Sequence, residues 1–338
     1  MKNTIKIIAL LCAAILTITT LTSCDMLTAM GERLGNIFSN VGNNQEINIS
    51  VLNGTTGFGA AKLINDSNDG NTALNYNFTV ESDAANITAG LINGSIDIAA
   101  LPTNAAAALY NKTDGGIKIA AVNTLGVLYL VTNSEKITVN SLSDLEGMTI
   151  YCPAQNPAFI FKAICDANGV NVTIDTAYAQ PADLRTALVS GNVDIAVLPE
   201  PMVTIAKSSN DKLTTALDLT EEWEKALGED TLMQGCIVVR TEWAEAHPDE
   251  LEKFLNEYKA SVNYTVKNPA EAAELIVATG VFAGKAPIAA KAIPNCNITY
   301  IDGEDMANSL VVFYEKLYAV NPQSVGGKIP GMGIYLVK

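Results

Sequence analysis

Apolar and polar positions along this chain follow two periods that take turns. Short apolar runs at Ile47 to Leu52, Tyr76 to Val80, Ile96 to Leu101, Ile117 to Val122 and Val127 to Thr132 are bounded by Gly, Asn, Asp or Pro and predict buried strands. Between the first three, Ala60 to Ile64 and Ala84 to Ile92 read as helices. Strand, helix, strand, helix, strand is the order of an α/β sheet wound by crossovers. The plan then restarts with strand Met148 to Tyr151, helix Pro157 to Asn168, strand Val172 to Asp175 and helix Ala182 to Ser190.

An internal repeat ties the two halves together. Gly94-Ser-Ile-Asp-Ile-Ala-Ala-Leu-Pro102 recurs 97 residues later as Gly191-Asn-Val-Asp-Ile-Ala-Val-Leu-Pro199, with six of nine positions identical. Each copy closes a helical run with a glycine, the residue that tolerates a left-handed conformation, and then enters an apolar strand that a proline stops. The expected fold class is α/β, two similar Rossmann-like lobes with a ligand cleft between them. The first lobe is expected to begin with residues 46–135, the second to occupy 136–233, and 234–338 to return to the first. Hinges are expected near 133–136 and 233–236. Ser143 to Glu146 offers a capping box before Gly147. In the return, strand Cys236 to Arg240 precedes a helix from Pro248 to Tyr264, whose Leu251, Phe254, Leu255, Tyr258 and Val262 recur at helical spacing. Helices Pro269 to Thr279 and Asp305 to Ala319 follow, then a loop-like tail from Gln323 to Lys338.

A chain of 338 residues exceeds one ordinary core of roughly 150 residues. At 49% hydrophobic and 17% charged residues it has ample material for two. Lys2 and Lys6 precede an apolar stretch from Ile7 to Leu16 and then Leu21-Thr-Ser-Cys24, a secretory signal. Leu-Thr-Ser-Cys resembles the bacterial lipobox, which implies cleavage after residues 1–23, lipidation of Cys24 and a Gly- and Asn-rich tether over 24–45. Removing Lys2 and Lys6 leaves 19 basic residues against 36 acidic, a formal charge of −17. Such a surface repels nucleic acid. Cys152, Cys165, Cys236 and Cys296 remain, with no metal-ligand spacing and a single histidine, His247, so no metal or cofactor is expected. The four thiols stand as buried free cysteines or pair as disulfides. His247, before Pro248 at a helix start, has no Ser or Cys partner in the sequence and reads as a surface residue.

In an open α/β sheet the ligand crevice lies beyond the carboxyl ends of the strands. Beyond the first strand lies Asn53-Gly54-Thr55-Thr56-Gly57-Phe58, where Thr55 or Thr56 can cap the next helix and free amides can hold a carboxylate, a sulfonate or a ring carbonyl. Thr103 and Asn104, after the first repeat strand, are short enough to cap a helix and polar enough to face a ligand. In the second half, Gln155, Asn156 and Phe159 occupy the matching place, with Asn156 as N-cap and Pro157 behind it. Glu200 follows the second repeat strand, either accepting from an amine or complementing a helix N-terminus. Tyr129 and Gln234, with Leu125, Gly126 and Gly235, form a hinge-side set that contacts the solute or packs the crossovers.

Taken together, Gly191 to Pro201, Leu142 to Gly147, His247 to Leu255 and Lys267-Asn-Pro-Ala-Glu-Ala-Ala273 resemble the periplasmic-binding-protein family of type II topology. The closest resemblance is to its nitrate, sulfonate, taurine and thiamine-precursor branch (NMT1/THI5-like), over residues 46–320. The resemblance implies a non-catalytic, monomeric receptor of an ABC importer, lipid-anchored outside the cytoplasm, which closes on one small polar or partly aromatic solute and delivers it to a membrane permease. Two alternatives stay open: an enzyme of pyrimidine or thiamine-precursor metabolism on the same scaffold, and a solute-sensing lipoprotein. The chain departs from the anion binders in its arginines, which are Arg33, Arg185 and Arg240 alone. A strongly anionic ligand would therefore rely on helix N-termini in place of a guanidinium clamp.

Overall fold

A computed structural model describes residues 46–337. The expected signal peptide, Cys24 and the tether lie outside the described residues. Eleven strands form two sheets: β1 (Ile47–Leu52), β2 (Tyr76–Glu81), β3 (Ile98–Pro102), β4 (Ile117–Thr124), β5 (Leu128–Asn133), β6 (Thr149–Tyr151), β7 (Thr173–Asp175), β8 (Ile195–Pro199), β9 (Leu213–Asp218), β10 (Gly235–Arg240) and β11 (Ile298–Ile301). The first sheet has the order β11-β4-β10-β3-β1-β2 and the second β7-β6-β8-β5-β9. Read from β2 and from β7, the first five strands of the larger sheet correspond to the five of the smaller, and β11 is the extra strand. In each, three parallel strands are followed by an antiparallel one that the other lobe's chain has just donated: β10 beside β3, and β5 beside β8. The repeat is thus structural as well. β3 and β8 begin and end at the same 97-residue offset, and Gly94 and Gly191 both take left-handed φ angles, 82° and 76°.

Among the described residues thirteen helices connect the strands: α1 (Thr55–Phe58), α2 (Ala61–Asn68), α3 (Ala84–Asn93), α4 (Thr103–Lys112), α5 (Asn156–Asn168), α6 (Pro181–Val189), α7 (Met202–Ser209), α8 (Leu219–Leu227), α9 (Thr241–Ala246), α10 (Pro248–Lys267), α11 (Pro269–Ala278), α12 (Ala286–Ala292) and α13 (Gly303–Val320).

The expected hinge at 133–136 is corrected. β5 pairs with β8 and β9 in the second sheet, so the chain crosses at Leu125–Val127 and returns over 228–234. Every residue of β5 is buried, and an unbroken apolar run carries no mark of the sheet it joins. The capping box also lies two residues earlier than expected. Asp144 accepts from the backbone N–H groups of Asn140 (2.8 Å) and Ser141 (3.1 Å), while Glu146 turns to the N–H of Asn171 at 2.8 Å. The tail wraps the first lobe: Ile334 and Tyr335 are buried, and the N–H of Leu336 donates to the carbonyl of Ile119 at 2.8 Å.

Three apolar clusters hold the elements. One lies on the α10–α12 side of the first sheet and another between α6, α7 and the second sheet. The third is continuous through both lobes, joining Ile87 and Leu101 to Phe161, Trp223, Phe313 and Tyr314. Cys152, Cys165, Cys236 and Cys296 are all buried free thiols. Desolvation pushes the Cys165 thiol up to about 12, which keeps it protonated and unreactive.

Candidate functional site between the lobes

The register of the donated strands decides which ends of the sheets meet. Gly235, the first residue of β10, lies opposite Pro102, the last of β3, and Leu128 of β5 lies opposite Pro199 of β8. Both crossovers therefore join carboxyl edges, and the loops after β1, β3, β6 and β8 surround the gap between the lobes.

Two pockets lie in that gap, each lined from both lobes. One, of about 410 Å³, takes Asn104, Ile92 and Lys112 from the first lobe, Gln155 and Phe159 from the second, and Gln323 from the tail. The other, of about 490 Å³, takes Tyr129, Glu200, Thr204 and Lys207 from the second lobe and Lys291 and Asn295 from the first.

The residues picked out by sequence divide between these pockets and the scaffold. Asn104 and Asn156 each hold a side-chain oxygen that is buried without a partner, a cost that a donor can relieve. Gln155, at φ 64°, is itself the N-cap of α5, so Asn156 is the first helical residue and not the cap. Its left-handed backbone is unusual for a residue with a side chain.

Around β1 the capping expectation is corrected. Neither Thr55 nor Thr56 caps a helix. Gly54 precedes the single turn α1 without a side-chain cap, and its N–H donates to the carbonyl of Val281 at 2.8 Å. Gly57 is a packing glycine, because a Cβ there would sit 2.2 Å from the carbonyl oxygen of Leu52. Phe58 is fully buried, edge-on to Phe282 with ring centroids 5.9 Å apart. Asn53 is exposed, and none of residues 53–58 lines either pocket. The apolar burial of Phe58 draws the whole turn toward the core of the first lobe.

Thr103 is also corrected to a scaffold role. Its side chain is completely buried, its hydroxyl donates to the carbonyl of Met233, and its own carbonyl accepts from the Tyr314 hydroxyl at 2.9 Å. Gln234 serves the crossovers, its side-chain oxygen accepting from the N–H of Val127 at 2.7 Å.

Glu200 takes the second of the readings offered for it and complements a helix N-terminus. It is only 3% exposed, and its carboxylate accepts from the N–H (3.1 Å) and the hydroxyl (2.9 Å) of Thr204 in the first turn of α7. It also lines the larger pocket. Across the gap, Tyr129 donates its hydroxyl to the carbonyl of Asn295 at 2.9 Å. Lys207, Lys291 and Asn295 escaped the sequence reading. Lys207 had a signal, lying on the helix that begins two residues after Glu200, whereas Lys291 and Asn295 are brought in only by the return of the chain.

Burial raises the Glu200 carboxyl above the ordinary carboxylate range, against the opposing pull of Thr204, Asn295 and Lys207. In the window upward from about pH 4.5, the native state holds a proton that the unfolded state has released, so stability falls as pH rises through it. Urea unfolding at a series of pH values is expected to show that slope in the wild type and a flatter profile in Glu200→Gln. Superimposable profiles would refute the assignment.

Among the described residues no group of three or more His, Cys, Asp or Glu side chains could hold a metal ion. His247 stands against the Trp243 ring, with centroids 5.1 Å apart.

Paired α/β lobes of matching strand order, joined by two crossovers at their carboxyl edges, define the two-lobed binding-protein fold. A family model described as NMT1/THI5 like matches residues 73–272, more than half of the chain, and the chain belongs to that family. Among solved structures it is similar to an ABC transporter protein from Parabacteroides distasonis, with 24% identity, a TM-score of 0.72 and coverage of 86% of this chain and 99% of that one. It is similar also to the ligand-binding component of an ABC-type import system from Staphylococcus aureus, solved with zinc bound (13% identity, TM-score 0.66, coverage 87% and 96%). The periplasmic aliphatic sulphonate binding protein SsuA from Escherichia coli follows at 16% identity, a TM-score of 0.65 and coverage of 85% and 92%. No curated protein matches the chain.

Proposed function

We propose that this chain is the extracytoplasmic solute-binding receptor of an ABC importer. It binds one small polar solute in the gap between its lobes and hands it to a membrane permease. The observation that carries the reading is that both pockets draw lining residues from both lobes. A solute bridging such a gap has more partners when the lobes are closed than when they are open, and that differential affinity shifts the population toward the closed form. The structural relatives, an ABC transporter protein, the ligand-binding component of an ABC-type import system and a periplasmic sulphonate binding protein, support the same reading. The basic and apolar N-terminal run ending at Cys24 supports export and a lipid anchor, and among the described residues no helix is long and apolar enough to cross a membrane. The receptor acts as a monomer and performs no chemistry of its own.

Small-angle scattering and thermal unfolding of residues 24–338 against a solute panel test this reading. A cognate solute at about 100 times its Kd adds ~2.7 kcal/mol of stability and lowers the radius of gyration. Stabilisation with an unchanged radius would remove lobe closure from the mechanism.

A further inference from the structure

The pocket of about 490 Å³ is lined by groups of both charge signs. Its acceptors are the Glu200 carboxylate, the Tyr129 phenolic oxygen and the Asn295 carbonyl. Its donors are the ammonium groups of Lys207 and Lys291 and the hydroxyl of Ser208. Lys207 spends one N–H on the Thr215 hydroxyl at 3.1 Å, and among the described residues neither lysine belongs to an ion pair. The chain as a whole carries a formal charge of −15, so two lysines on one pocket run against the prevailing sign.

The two lysines come from different lobes. Lys207 sits on α7 of the second and Lys291 on α12 of the first. Bringing them to one pocket costs charge repulsion, and an anion between them turns that cost into attraction. Glu200 accepts from Thr204 twice and from the Asn295 side chain, and these three hydrogen bonds leave about one of a carboxylate's four acceptor sites. An ammonium there would restore the charge compensation that burial withholds.

From one carboxylate and two lysines on one pocket we infer that the solute is a small zwitterion, an amino acid in chemical terms, with its ammonium on Glu200 and its carboxylate between Lys207 and Lys291. The inference rests on the receptor reading and narrows it to one solute class. The pocket of about 410 Å³ lacks this pairing of signs, since Lys112 is the only charged side chain lining it.

Calorimetric titration of residues 24–338 tests the assignment with named probes: the twenty protein amino acids, β-alanine, γ-aminobutyrate and 5-aminovalerate. Matched single-charge compounds accompany them: butyrate, n-butylamine and methanesulfonate, with uracil and cytosine as uncharged rings. At least one zwitterion is expected to bind and to lower the radius of gyration. Its analogue lacking either charge should bind at least 100-fold more weakly. Lys207→Gln and Lys291→Gln, both at exposed positions and safe for folding, should each weaken it about tenfold or more, as should Glu200→Gln. Binding and closure by an uncharged or singly charged compound, indifferent to both lysine substitutions, would overturn the zwitterion and leave the receptor standing. Absence of binding by every probe, together with a native mass spectrum free of any retained small molecule, would overturn both.

Discussion

Trp223→Ala lowers the stability of the folded chain by about 3–5 kcal/mol, the range for deleting a fully buried large aromatic. Trp223 is completely buried on α8, and its indole N–H donates to the Thr231 hydroxyl at 2.9 Å. Its ring faces Phe313 of α13 at a centroid distance of 5.7 Å. α8 follows the last strand of the second sheet, whereas α13 belongs to the part of the chain that has returned to the first. The cavity therefore opens in the core that runs through both lobes and leaves the Thr231 hydroxyl without its donor. Differential scanning calorimetry is expected to show a lower midpoint and a transition that splits into two, one for each lobe. A loss below 1 kcal/mol with a single transition would mean that the lobes do not depend on this contact.

Asp97→Ala is the second large effect, at about 3–5 kcal/mol, because removing one partner strands a buried charge. Asp97 accepts from the Arg240 guanidinium at 3.0 Å through one oxygen and from the N–H of Asn48 at 3.0 Å through the other, tying together β1, β3 and β10. The Arg240 Nε is buried without a partner, and the guanidinium's other acidic neighbour, Glu242 at 3.8 Å, is 93% exposed and replaces little of what is lost. The equivalent aspartate in the second copy of the repeat, Asp194, pairs with Lys136 at 2.9 Å, with side chains 32% and 51% exposed. Solvent screens that pair, and Asp194→Ala should cost about 0–1 kcal/mol. Urea unfolding of the two variants side by side measures the contrast, and equal losses would contradict the burial argument.

Local signals made much of the fold legible. The glycines at 94 and 191, the apolar strands and the prolines that stop them act over a few residues, and the observed β3 and β8 reproduce the expected repeat. Where a residue had two physically reasonable fates, sequence could not choose. Phe58 and Thr103 follow strand ends exactly as ligand residues would, and each is consumed by packing or by a backbone carbonyl more than a hundred positions away. Asn104, Gln155 and Phe159 met in one pocket and Tyr129 and Glu200 in another, a division that depends on which side of the crossovers each loop emerges.

The amino-acid sequence by itself determined that this is a duplicated α/β chain with its candidate chemistry at the carboxyl ends of the strands, because helix stops, strand periods and apolar runs are short-range properties. Only the tertiary structure decided that β5 belongs to the second lobe, that the crossovers lie at 125–127 and 228–234, and that Lys291 and Asn295 face Glu200. Those are outcomes of strand pairing and helix packing between residues far apart in the chain, where the free energy of burying apolar surface across the whole core outweighs any local preference.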